Sequence, residues 1–213
     1  MDPARRLQNA KEEENVVSVW YGSGNQSFFR RRYFDGYTQY ETLDDNGKVV
    51  LHNVYTGVWY TQQLSKEERI RHRIIYIVCW LAAVAALIFG ATRIAMANTR
   101  WYGGMSAFAG LYGLGWIAVG IFNEFTVPQR RTIGDYRASS LGLKRGSLLA
   151  AFGCGCLTVI SLVYLVMGVQ MGMHLLAAGV ELAATALAVA IYKIESKVVY
   201  DQQVSENAGK YTM

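Results

Sequence analysis

The sequence predicts an α-helical membrane protein: an antiparallel four-transmembrane-helix bundle with a small N-terminal β-rich cytoplasmic module, a hairpin or meander. Three observations predict it. Residues 74–92 run for nineteen positions without a charge, long enough to cross a hydrocarbon core as a helix. Three further apolar runs follow. Residues 1–73, by contrast, hold eleven Lys/Arg and ten Asp/Glu. The net charge of +5 sits mostly beside the apolar runs, where it sets topology, and nucleic acid is not an expected partner. Residues 1–15 are charged and lack the apolar stretch of a signal peptide, so the first span is expected to act as its own insertion signal.

The chain divides in order. Residues 1–15 read as a disordered or frayed lead-in. Residues 16–64 are rich in Tyr, Val, Trp and Thr, the residues of strands, and form the β-rich module. Asn46-Gly47 is a strong hairpin signal, flanked by strands at 37–43 and 48–55. A third strand is expected at 58–62 and a fourth at 28–34. Two short segments echo one another: Phe34-Asp35-Gly36-Tyr37 and Tyr55-Thr56-Gly57-Val58 each place a glycine between an aromatic and a strand. Arg30, Arg31 and Arg32 form the densest charge run. They read either as a solvated strand edge or as a contact for anionic headgroups. Trp59 and Tyr60 are candidates for the same surface or for a partner interface.

Residues 65–197 form the transmembrane domain, with spans at about 74–96, 101–123, 148–168 and 171–192. Ser65-Lys66-Glu67-Glu68 is a capping box that starts the first helix, with Arg69, Arg71 and Arg73 at the membrane boundary and Tyr76 and Trp80 among its interfacial aromatics. The 124–146 loop carries Arg130, Arg131, Arg137, Lys144 and Arg145, whereas the two short loops opposite offer Arg93 and Arg100. This asymmetry puts both termini and the middle loop in the cytoplasm, on a multi-pass protein of the plasma membrane. The segment 198–213 reads as a flexible cytoplasmic tail. Small residues recur at four-residue spacing (Ala82, Ala86 and Gly90; Ser106 and Gly110; Ala109 and Gly113; Ala151 and Gly155; Gly179 and Ala183) and predict close helix packing.

One residue breaks the apolar pattern. Glu181 falls near the middle of the fourth span, and an intramembrane carboxylate is a functional candidate by default. Rise per residue sets Thr158 at similar depth, Ser161 and Tyr164 nearer the outer surface, and His174 two turns from Glu181 on the same face. With Arg93 these residues make a candidate polar track for a proton, a cation or a headgroup. The plain alternative is a carboxyl hydrogen-bonded to a Ser or Thr of a neighbouring helix. Cys79, Cys154 and Cys156 all lie in spans. They read as small packing residues, since no fourth ligand accompanies them as tetrahedral zinc requires. No metal or other cofactor is expected.

No nucleophile elbow, Walker box or HExxH motif is present, and no catalytic residue is assigned. The leading expectation is a non-enzymatic accessory or scaffold subunit whose β-module docks on a larger membrane assembly or on the membrane surface. Its expected partners are membrane lipid and other membrane subunits or further copies of itself. The alternative is a small oligomeric transporter or channel component using Glu181. A lipid-modifying enzyme ranks third.

Overall fold

The computed structural model describes residues 16–21, 36–43, 48–93, 100–168 and 171–207. The expectations for residues 1–15, for a strand at 28–34 with Arg30, Arg31 and Arg32, and for the Asn46-Gly47 turn lie outside these residues. The chain falls into two compact units: Met1–Thr61 with Arg130–Gly134 and Asp201–Met213, and Gln62–Gln129 with Asp135–Tyr200.

In the first unit, strands β1 (Val16–Tyr21), β2 (Tyr37–Leu43) and β3 (Val49–Tyr55) form an antiparallel sheet in that order. The β2–β3 register runs from Leu43 opposite Val49 to Tyr37 opposite Tyr55. Alternation then assigns the faces. Thr38, Tyr40 and Thr42 are buried. Tyr40 stacks on His52 with ring centroids 5.1 Å apart, and the Thr42 hydroxyl lies 2.9 Å from His52 Nε2.

Strand β4 (Val58–Gln62) has the expected bounds but a different place. It does not extend the meander; it is the centre of a second sheet, between β5 (Arg130–Arg131) and β6 (Tyr200–Val204). The turn between β3 and β4 explains the departure. The Thr56 and Gly57 amides both donate to the Gly36 carbonyl, at 2.8 and 2.9 Å. A side chain on Gly36 or Gly57 would begin 2.8 Å from Tyr55, and Gly36 has φ +85°, a region glycine enters without steric cost. The two echoing glycine segments thus abut, and the chain turns out of the first sheet there. Residues 200–204, expected in a flexible tail, are instead strand β6. The Ser205 amide donates to Gly57 O at 3.1 Å and the Ser205 hydroxyl to Tyr55 O at 2.8 Å.

The second unit is helical: α1 (Lys66–Arg93), α2 (Trp101–Thr126), α3 (Ile133–Tyr136, whose first two residues belong to the first unit), a π turn (Arg137–Leu141), α4 (Gly142–Val166) and α5 (Met171–Ser196). The capping box forms as expected, with Glu68 Oε2 accepting from the Ser65 amide at 3.0 Å and Ser65 Oγ accepting from the Glu68 amide at 3.2 Å. Four helical stretches are long and apolar enough to cross a membrane, the third counted from Ile133 through Val166. Much of the expected 124–146 loop is therefore helix. After β5 the helix starts at Ile133, about four turns before the expected span at 148. The π turn absorbs one extra residue per turn, with Ser139 and Ser140 fully buried inside it. The Asn123 amide bonds the Ala138 carbonyl at 3.2 Å and ties this turn to α2.

Contacts pair opposite ends of neighbouring helices, so α1–α2, α2–α4, α4–α5 and α1–α5 each run antiparallel. The closest approach is between α2 and α4. A methyl on Gly153 would lie 2.2 Å from the Gly110 amide nitrogen, and one on Gly113 2.3 Å from that of Ala150. Gly146 and Gly120 continue the seam against Ile117 and Leu143. Small residues do make the interface, but only partly those predicted. Ala82, Gly179 and Ala183 are exposed, and the buried stripe of α5 is Ala177, Ala178, Glu181, Ala184 and Ala188. Four-residue spacing marks where backbones can meet, and several rows on one helix satisfy it.

Gly113→Ala and Gly153→Ala should each lower stability by about 2–3 kcal/mol or more, because backbone must move to admit the methyl. Gly104→Ala, with nothing within 4 Å of the new atom, should leave stability unchanged or raise it slightly. Thermal unfolding in detergent of the three variants checks this.

Candidate functional site

Glu181 is 2% exposed. It sits on the inner stripe of α5 because that stripe repeats at three- and four-residue steps. Its Oε2 accepts a 2.7 Å hydrogen bond from the Ser161 hydroxyl of α4. Gly90 of α1 makes the space: a side chain there would begin 3.3 Å from Glu181 Cγ. Three helices therefore frame the carboxyl group, one giving a donor and one giving room. A buried polar group without a partner costs about 1–3 kcal/mol, so the Ser161 contact binds α4 to α5.

The rest of the anticipated track divides. Thr158 is buried at a similar depth, but its hydroxyl returns to the Cys154 carbonyl of its own helix at 3.0 Å. Tyr164 and His174 stack at 5.2 Å, nearly parallel at 18°. The Tyr164 hydroxyl lies 2.8 Å from that of Tyr102 on α2. His174 is 1% exposed and its Nδ1 has no hydrogen-bond partner among the described residues. The structure thus brings together Ser161 with Glu181, and Tyr164 with His174 and Tyr102. The side chain of Arg93 lies outside the described residues. Cys154 is buried against Gly110, whereas Cys156 lines an outer groove. Two residues apart on a helix they point about 200° apart, and among the described residues no three His, Cys, Asp or Glu side chains could hold a metal ion.

Trp59 and Tyr60 lie in β4, both half-buried. Trp59 meets Tyr55 edge to face at 4.5 Å, and the Arg130 guanidinium lies 4.6 Å from its ring centroid. Tyr60 is opposite Arg131 in the ladder.

A second buried carboxylate was not singled out from sequence. Glu195, 1% exposed, accepts from Tyr76 at 2.7 Å through Oε2 and from Tyr200 at 3.0 Å through Oε1. Tyr200 also meets Tyr136 edge to face at 5.0 Å. Tyr76 and Trp80 were expected at the membrane boundary. Tyr76 is instead 1% exposed, and the Trp80 indole donates to the Leu114 carbonyl at 2.8 Å. Arg73, expected at the membrane boundary, donates to the Glu124 carbonyl near the end of α2 and lies over Phe125 at 5.0 Å. A cation there complements the helix dipole and its unpaired carbonyls. The available signal for Glu195 was position: a carboxylate in the last turn of α5, within reach of the phenols of Tyr76 and Tyr200.

Ser161→Ala should lower stability by about 1–2 kcal/mol by leaving the Glu181 carboxyl without its donor. Glu181→Gln should retain the fold, since the amide oxygen can accept the same bond. If Ser161→Ala is neutral in thermal unfolding, the contact does not hold the helices. Tyr76→Phe should cost a similar amount by removing one of two phenol donors to Glu195.

No protein-family model matches this chain, and neither a curated protein nor a solved structure does, so the site rests on its own geometry.

Proposed function

We infer that this chain is a multi-pass integral membrane subunit without catalytic activity of its own, which docks on a larger membrane protein through its β-rich unit. The four apolar helices support membrane insertion. The excess of Lys and Arg before α1 and within residues 124–146 favours a cytoplasmic location for both chain ends, in the plasma membrane as expected from sequence.

One observation carries the docking reading. On one face of the first sheet, Leu43 is 46% exposed, Val49 56% and Leu51 61%. Leu43 and Val49 are directly opposite, and Leu51 lies on the same face two residues on. Among the described residues β3 is also the last strand of its sheet, so its outer edge offers backbone groups as well as aliphatic side chains. Glu41 and Asn53 share this face by alternation. A carboxylate among the aliphatic groups suits the polar rim of a protein interface better than an anionic bilayer.

The alternative, a transporter or channel component using Glu181, requires a water path to that residue. Its burial and its bond to Ser161 give more support to a bracing part within the helices.

Val49→Lys with Leu51→Lys should reduce stoichiometric co-purification of a membrane partner in mild detergent by at least about tenfold, leaving helix melting unchanged. A chain that purifies alone, or a double variant that keeps its partner, would sink the docking reading. Loss of binding to protein-free vesicles instead would place the same surface on lipid.

A further inference from the structure

The outward side of the α2–α4 seam carries a long furrow. Its larger part is a shallow, open trough of about 710 Å³ lined by Tyr102, Ala151, Phe152 and Gly155. A second part of about 370 Å³, bounded by Arg100, Tyr164 and Met167, continues it. The two share Tyr102, Val159 and Ile160, so they form one channel along the helices. The close glycine seam creates it: Gly110 and Gly153 let the backbones meet, while Phe152 and Tyr102 stand out on either bank.

The floor is apolar. The Ser106 hydroxyl on this floor is already bonded to the Tyr102 carbonyl at 2.8 Å. The polar groups gather at one end. There the Tyr102 and Tyr164 hydroxyls lie 2.8 Å apart, and the exposed Arg100 stands at the N-cap of α2. Among the described residues, none lining either part is acidic. From Phe152 to Tyr164 the helix rises about 18 Å, close to one leaflet of a hydrocarbon core about 30 Å thick.

We propose that this furrow binds one anionic glycerophospholipid. An acyl chain lies along Val159, Gly155 and Phe152, and the phosphate meets Arg100 and the Tyr102–Tyr164 hydroxyl pair. An apolar trough of one-leaflet length accepts a single chain. A cation with two phenols at its polar end selects a phosphodiester carrying net negative charge, because guanidinium and phosphate form charge-assisted hydrogen bonds and basic pockets between membrane helices hold anionic headgroups. The inference rests on the membrane location of the helices and is independent of the docking surface on the β-rich unit.

Native mass spectrometry of the full chain in mild detergent, with added dioleoyl phosphatidylglycerol or dioleoyl phosphatidylcholine, tests it. The wild-type chain should retain one phosphatidylglycerol and hold phosphatidylcholine about tenfold more weakly. Arg100→Gln, at an exposed position, should bring phosphatidylglycerol down to the phosphatidylcholine level. Gly155→Leu should remove both lipids by filling the trough. The nearest atom to its new Cβ, on Thr185, is 3.9 Å away, and a circular-dichroism melt establishes that the variant is folded before its lipid binding is read. Glycerophosphoglycerol, the headgroup without chains, should not compete. The proposal is overturned if the wild type retains neither lipid or shows no preference, or if Arg100→Gln keeps the preference. Undiminished retention by a folded Gly155→Leu, or competition by the chain-free headgroup, overturns it equally.

Discussion

The helical unit depends on backbone-to-backbone contact between α2 and α4. In hydrocarbon, side-chain burial offers little net attraction between helices, because lipid tails are as apolar as leucine. Association then rests on how closely two helices can approach and on the polar bonds they share. Gly110, Gly113, Gly146 and Gly153 remove the side chains that would hold the backbones apart. The rest of the packing follows from that approach. Leu114 and Ile117 turn inward, Trp80 reaches a carbonyl of α2, and α5 closes against α1 and α4.

Buried carboxylates pin the same arrangement at two levels. Glu181 joins α5 to α4 through Ser161, and Glu195 joins α5 to α1 through Tyr76. Both couple a costly group to a hydroxyl donor on another helix. An apolar interface tolerates sliding; a carboxylate held by a hydroxyl donor on a neighbouring helix does not. These pairs therefore fix the depth of α5 against its neighbours, a task that Ala177, Ala184 and Ala188 alone would leave loosely specified. The polar residues of α5 thus have a physical role before any ligand is invoked.

The helices were legible in sequence because a run of uncharged residues is a strong, local signal. The Tyr37–Leu43 strand and its partner were legible because a hairpin is also local. What was not legible is relational. The sequence marks Val58–Gln62 as a strand but not which sheet receives it, since β5 and β6 come from residues 130–131 and 200–204. It marks small residues at four-residue spacing, but Gly179 and Ala183 look as eligible as Ala184 and Ala188. It singles out Glu181, which stands in an apolar run, and passes over Glu195, which stands beside Lys193 and looks like a solvated end. The furrow has no sequence signature at all, because its banks are residues far apart in the chain.

The Tyr55 side chain links distant stretches of the first unit. Its hydroxyl donates to the Val58 carbonyl at 2.6 Å and accepts from the Ile133 amide at 3.0 Å, while its backbone carbonyl accepts from Ser205. Ile133 is synthesised only after two hydrophobic helices have left the ribosome, and Ser205 only after all four. The front part of the β-rich unit must therefore wait, with Tyr55 lacking its bonds to Ile133 and Ser205, until the last described strand arrives. Its closure is a late event in biogenesis, and it registers that every preceding helix has been made.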